Sequence, residues 1–186
     1  MKTDHSIHAT GARVRPARTS DVRDIQRLIR GYAEQRILLG KERVTLYEDV
    51  QEFRVAEATW TAKSDDAAPP VTELIGCGAL HVMWEDLAEV RTVAVAPAWR
   101  GHGVGHRIME ALLQQARDIG VRRLFCLTFE VEFFARHGFQ EIHGRSVPPK
   151  VYAELLRSMD EGVAEFLDVA RVKPNTLGNT RMICEL

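Results

Sequence analysis

The sequence predicts a mixed α/β fold: a single domain with a mixed, largely antiparallel central sheet flanked by helices. Three observations predict it. Two long strand patterns, 74–84 and 87–95, are separated only by Glu85-Asp86, as in an antiparallel hairpin. Strand and helix patterns then alternate through the rest of the chain, as a layered α/β sheet requires. The 186 residues contain no linker long enough to divide two domains, and that length suits one sizeable core.

The elements follow in order. Residues 1–12 are polar and read as a disordered tail, leaving 13–186 as the folded domain. A short strand is expected at 14–17. Thr19 or Ser20 can cap a helix over 21–35, where Val22, Ile25, Leu28, Ile29 and Tyr32 recur at helical spacing and Asp21 and Asp24 favour the first turn. A second helical stretch covers 45–53 and a strand 53–58. The segment 59–72, with Lys63-Ser64-Asp65-Asp66 and Pro69-Pro70, reads as a mobile surface connection. Pro97 ends the second long strand. A strong amphipathic helix spans 105–119, with Ile108, Leu112, Leu113, Ala116 and Ile119 on one face and Gly120 as its C-cap. A buried strand at 123–129, a short helix at 131–137 and a strand at 139–143 come next. One amphipathic helix over 152–167, marked by Leu155, Leu156, Met159, Val163 and Phe166, precedes a polar loop at 173–179 and a last strand at 181–186.

Composition bounds the function. Apolar residues make up 45% and charged residues 27% of the chain, a globular balance; a net charge of -1 provides no field to draw nucleic acid or an anionic membrane. No apolar run reaches the ~20 residues of a membrane span, and the N-terminus lacks a signal-peptide pattern. Cys77, Cys126 and Cys184 sit in apolar strand contexts and read as buried free thiols, which points to a cytoplasmic protein.

The chemistry concentrates at the segment Val93-Ala94-Val95-Ala96-Pro97-Ala98-Trp99-Arg100-Gly101-His102-Gly103-Val104-Gly105. Alternating glycines before a helix permit positive φ and a close approach of an anion to free N–H groups, and Arg100 adds a charged contact. The spacing does not fit the dinucleotide fingerprint, and no Walker Gly-Lys-Ser/Thr follows. Taken alone, the residues Arg100, Gly101, His102, Gly103, Val104 and Gly105 define an anion loop. His102 and His106 read as polar groups on its rim. They are not read as metal ligands, because no partner stands at ligand spacing.

Arg-x-x-Gly-x-Gly after a strand ending Val-Ala-Val-x-Pro resembles the acyl-CoA motif of the GCN5-related N-acetyltransferases. Phe133-Phe134-Ala135-Arg136-His137-Gly138-Phe139 resembles the second landmark of that family. Further stretches, Glu34-Gln35-Arg36-Ile37-Leu38-Leu39, Glu89 to Val95, Leu124 to Thr128 and Asn175 to Arg181, look like the acetyltransferase domain of N-acetylglutamate synthases, in its short single-domain bacterial form. The resemblance implies acetyl-CoA as cosubstrate, no metal, and direct attack by an amine in a ternary complex. Its pantetheine would align along Val93, Ala94 and Val95, with its diphosphate on the glycine loop. Thr128 and Phe134 complete the expected cofactor contacts. The tyrosine that often serves as general acid is replaced by Phe133 and Phe134, leaving Thr128, a water or direct proton passage.

An amine acceptor must lose a proton, and Glu89 is the expected base, with His81 in reserve. Strand alternation puts Glu89, Arg91 and Val93 on one face. A dicarboxylate acceptor needs fixed cations; Arg91 neighbours the base, and the resemblance to the synthases implies Lys41, Arg43 and, more loosely, Arg181 as further substrate contacts. The resemblance implies acetylation of the α-amine of L-glutamate, the first step of arginine biosynthesis, with L-glutamine left open as an acceptor. Acetylation of another amine, or acyl-CoA binding without catalysis, stays open. The apolar stripe of 152–167 could serve a homodimer.

Overall fold

The computed structural model describes residues 10–35, 37–38, 40–60, 70–143, 147–167 and 178–186. Its elements are β1 (Thr10–Pro16), α1 (Val22–Ala33), α2 (Arg43–Glu48), β2 (Phe53–Trp60), β3 (Val71–Trp84), β4 (Leu87–Val95), α3 (Val104–Asp118), β5 (Arg123–Thr128), α4 (Val131–Ala135), β6 (Gln140–Glu141), α5 (Pro149–Leu155), α6 (Glu161–Leu167) and β7 (Thr180–Glu185). The strands form one seven-stranded sheet in the order β1-β2-β3-β4-β5-β7-β6. Its pairs are antiparallel except β4 with β5, so the expected mixed, largely antiparallel sheet is the one observed.

Helix periodicity decides which side chains close each face. On one face Val104, Ile108, Leu112 and Ala116 of α3 recur every four residues and pack on Leu80, Ala88, Val90 and Leu124. On the other, Val22, Ile25 and Ile29 of α1 meet Leu46, Phe53, Val55 and Cys77. A third cluster joins Met83, Leu87 and Phe125 to Leu155, Val163, Phe166 and Leu167. The Asp86 turn is pinned to β5 by a two-bond pairing with Arg123 at 3.0 and 3.1 Å.

Several expected boundaries change. Strand β1 begins at Thr10, four residues before the position expected, and pairs with β2; residues 1–9 of the expected tail lie outside the described residues. So do 61–69 of the connection before β3 and most of the polar loop at 173–179. The single helix expected over 152–167 is two short helices. Asp160 supplies the reason: its Oδ1 accepts the Val163 N–H at 3.1 Å and its own N–H donates to Ser158 Oγ at 3.1 Å, so the chain caps a new helix instead of continuing the old one. Met159, expected on the apolar stripe, is exposed. Leu155, Val163 and Phe166 of that stripe are buried within the chain, where they close the third cluster, whereas Leu156 is exposed like Met159.

Candidate active site

Pairing between β4 and β5 is confined to Leu87, Ala88 and Glu89 against Arg123, Leu124 and Phe125. β4 runs on to Val95, so its second half offers main-chain groups to something other than β5. A bulge lies between these halves. Cys77 opposes Ala94 and Ala79 opposes Arg91, so β4 carries one residue more than β3. Thr92 has φ 60, the one positive value at a non-glycine among the described residues. A β-branched residue there costs about 1–3 kcal/mol, and such strain concentrates at functional sites. The bulge corrects the expected alternation. Glu89 and Arg91 share a face, 3.8 Å apart, but Val93 packs with Val95 against α3 on the other.

The glycine loop behaves as its residues require. Gly101 and Gly103 hold φ 78 and 75, values that a side chain would strain, and Gly103 is the N-cap of α3. The first-turn N–H groups of α3 therefore open onto the loop. Arg100 Nε donates to the Tyr32 hydroxyl at 3.2 Å, and its guanidinium lies 5.0 Å from the centre of that ring. The Tyr32 hydroxyl also donates to the Val95 carbonyl and accepts the Val95 N–H at 3.3 Å. Tyr32, identified from the sequence only as a core-face residue of α1, thus joins the loop to β4. His102 Nδ1 lies 2.9 Å from the Arg100 carbonyl, and His106 Nδ1 lies 2.8 Å from His137 Nε2.

Glu89 is the buried acid of the site. It is 7% exposed, and its Oε2 has no hydrogen-bond partner. Burial pushes its carboxyl up to about 7; Arg91 opposes the shift and Asp160 adds to it. A carboxylate poised there can accept a proton near neutral pH. His81 is not equivalent. Its Nδ1 lies 2.7 Å from Glu52 Oε1 and Nε2 3.5 Å from Asp160, and the Glu52 bond holds its pKa above the usual value. The Glu52 bond favours the proton-bearing ring, which makes His81 the weaker of the two candidate bases.

Arg91 is the centre of a charged cluster. It reaches Glu52 at 2.9 Å, Asp160 at 3.1 Å and Asp49 at 3.4 Å, and Lys41 Nζ meets Asp49 at 3.2 Å. Arg91 and Lys41 stand out in the sequence, but Asp49 and Glu52, from one segment at the end of α2, and Asp160, from the turn before α6, do not. The Ser158-Met159-Asp160 capping pattern inside the expected helix was the one available signal. The other expected residues scatter. Arg43 is exposed and donates to Gln26 at 3.0 Å, outside this cluster. Arg181 donates to the Phe166 carbonyl. Thr128 is buried and its Oγ1 accepts the Glu130 N–H at 2.9 Å. Phe134 is a core side chain set edge-on to Phe133 and Phe139. Among the described residues, no three His, Cys, Asp or Glu side chains gather in a way that could hold a metal ion.

The chain is similar to known proteins in sequence and in fold. The model of the acetyltransferase (GNAT) family matches residues 22–139. The "Amino-acid acetyltransferase" of Mycobacterium tuberculosis is 57% identical over 173 residues, 93% of this chain and 94% of that protein. A protein of the same name from Neisseria meningitidis is 34% identical over 137 residues, 73% of this chain but 29% of its own length. A solved Mycobacterium tuberculosis protein in complex with CoA and NLQ superimposes with a TM-score of 0.80 at 56% identity, covering 94% of this chain and 99% of that one. N-acetylglutamate synthase of Neisseria gonorrhoeae, complexed with coenzyme A and N-acetyl-glutamate, superimposes with a TM-score of 0.69 at 26% identity, covering 95% of this chain and 35% of that one. The family profile spans the β4 bulge, the glycine loop and α3, and with the close full-length relative it leaves one assignment: the chain belongs to the acetyltransferase (GNAT) family.

Proposed function

We propose that the protein transfers the acetyl group of acetyl-CoA to the α-amine of L-glutamate, supplying the first intermediate of arginine biosynthesis in the cytoplasm. The observation that carries the reading is Glu89, a buried carboxyl with a pKa of about 7, beside Arg91 where β4 parts from β5. The diphosphate of the cosubstrate would lie on Gly101–Gly105 and Arg100, and the pantetheine amides would pair with the β4 main chain at Val93 to Val95. Thr128 and Phe134, both buried, would support that groove from beneath, Phe134 through its packing on Phe133. The amine attacks the thioester carbonyl carbon, its proton passes to Glu89, the carbon–sulfur bond breaks, and the coenzyme A sulfur takes up a proton. Arg91 and Lys41 would meet the acceptor carboxylates, with Arg43 and Arg181 at the edge of the site. Buried free Cys77, Cys126 and Cys184, with Cys77 pushed up to about 12 by burial, are in keeping with a reducing compartment.

A second acceptor is favoured by one observation. Asp49, Glu52 and Asp160 already answer Arg91 and Lys41, so the site has little positive charge left for a second carboxylate. L-glutamine, with a neutral amide in that place, suits such a balance. Coenzyme A release with acetyl-CoA and a panel of amino acids tests both. Turnover is expected with glutamate, glutamine or both, and turnover confined to other amines would overturn the reading.

The Tyr32 hydroxyl holds both main-chain groups of Val95 and the Arg100 side chain. A pantetheine amide that pairs with Val95 must displace it. Tyr32→Phe is therefore expected to tighten coenzyme A binding by about five-fold, the worth of roughly 1 kcal/mol for one hydrogen bond, in titration calorimetry. Weaker binding would place the phenol on the cofactor instead.

A further inference from the structure

The first turn of α6 lies directly against the Glu89 carboxylate. A Cβ built on Gly162 would stand 2.1 Å from Glu89 Oε2, 2.8 Å from Glu89 Cδ and 3.0 Å from Asp160 Oδ1. Gly162 is helical and is not among the positive-φ glycines, so its backbone does not require glycine. Glycine inside a helix costs about 0.5–1 kcal/mol relative to alanine. What the position requires is the missing side chain, because the carboxylate fills that space.

Asp160 fixes the same turn. One of its oxygens caps Val163, and the other meets Arg91 Nη1 at 3.1 Å and lies 3.5 Å from His81 Nε2. The cap therefore ties α6 to β4 and β3, the two strands that carry Arg91 and His81. Glu89 Oε2 is left without a hydrogen-bond partner, its nearest cation being Arg91 at 3.8 Å.

We propose that the Asp160–Gly162 turn is the positioning element of the base: Asp160 anchors it to Arg91 and His81, and Gly162 provides the space in which the Glu89 carboxylate stands. The inference rests on the reading of Glu89 as the proton acceptor. Both are positioning residues, acting through Glu89 without touching the reacting atoms. An alanine methyl at 162 cannot coexist with the present carboxylate, so the carboxylate must swing away. A displacement of about 1 Å is enough to cost on the order of a hundred-fold in rate. The charged and titratable groups around Glu89 are Arg91 from β4, His81 from β3, Asp160 before α6, Lys41 before α2 and Cys126 from β5. Of these, Asp160 and Cys126 add no positive charge, and the Asp160 carboxylate pushes the Glu89 pKa up.

The test uses the full-length enzyme as Gly162→Ala, Asp160→Asn and Glu89→Gln, with kcat, KM, the pH profile of kcat/KM, coenzyme A affinity and thermal midpoint measured for each. Gly162→Ala is expected to lower kcat by about ten- to a hundred-fold while coenzyme A affinity and the midpoint hold, since alanine is the better helix former. Asp160→Asn is expected to move the acid limb of the profile to lower pH, because a charge that raises the Glu89 pKa is gone. If Glu89→Gln abolishes turnover but Gly162→Ala keeps the parental kcat, the base stands and the positioning inference falls. An unmoved acid limb in Asp160→Asn overturns it equally, even if Gly162→Ala fails to fold. Full kcat in Glu89→Gln removes the base reading itself, and this inference with it.

Discussion

Glu89→Gln is expected to lower kcat by about 10²- to 10⁴-fold, the range a lost general base commands, and at the same time to make the fold more stable at pH 8. The two effects share a cause. In the folded chain burial holds the Glu89 carboxyl near pH 7, above its ordinary 4.5. A carboxyl raised in this way binds its proton more tightly folded than unfolded. The stability tied to it is whole below about pH 4.5 and is lost as the pH climbs through about 7. On the scale of 1.36 kcal/mol per unit, the buried carboxylate weakens the folded state by on the order of 3 kcal/mol at pH 8. Glutamine keeps the shape and carries no charge, so the penalty disappears with the activity. Urea melts of both proteins at pH 5 and pH 8 check this: the variant should gain at pH 8 and little at pH 5. The wild-type kcat/KM should rise with pH through an apparent pKa near 7. A variant that loses stability at pH 8 would mean that the carboxylate is satisfied in the fold and is not poised as a base. His81 is a poor substitute, because its bond to Glu52 engages Nδ1 and favours the protonated ring.

Local pattern made part of this site legible. The hairpin of β3 and β4 follows from period-two runs around a two-residue turn, and α3 from an apolar residue every third or fourth position. The glycine loop was visible because positive φ at Gly101 and Gly103 demands that residue type. The bulge at Thr92 left no such mark. Threonine at φ 60 is disfavoured by every local preference, and the surrounding sheet imposes it, so simple alternation put Val93 on the wrong face. The break between α5 and α6 was lost because Leu155, Met159 and Val163 keep helical spacing across it. Side-chain capping by Asp160 outweighed that spacing. The charged cluster was half legible. Its cations stand out in the sequence, whereas Asp49, Glu52 and Asp160 become their partners only when the α2 region, β4 and the α6 turn meet in space.

That partnership changes what Arg91→Ala should do. A free cation waiting for a substrate would leave the fold intact on removal and raise KM alone. Arg91 instead sits half-buried among Asp49, Glu52, Asp160 and Glu89, with a side chain 13% exposed. Deleting one member of a half-buried ionic cluster leaves the others uncompensated, at a cost of about 3 kcal/mol, the low end of the range for a buried pair. For a chain of this size that is roughly a 10 °C fall in the thermal midpoint. The loss also removes the charge that holds the Glu89 pKa down, so the acid limb of the activity profile should move to higher pH. Arg91→Lys separates the two roles, since it keeps the charge but cannot span Asp160 and Glu52 with one fork. It should recover most of the pH profile and only part of the midpoint. If Arg91→Ala raises KM for the amino acid while midpoint and pH profile stay put, the carboxylates around it are bystanders and Arg91 is a substrate ligand first. If midpoint, profile and KM move together, the acceptor's carboxylate enters a cluster already neutralised by the protein. It can then gain Arg91 only by sharing it with Asp160, the residue that holds the turn over Glu89.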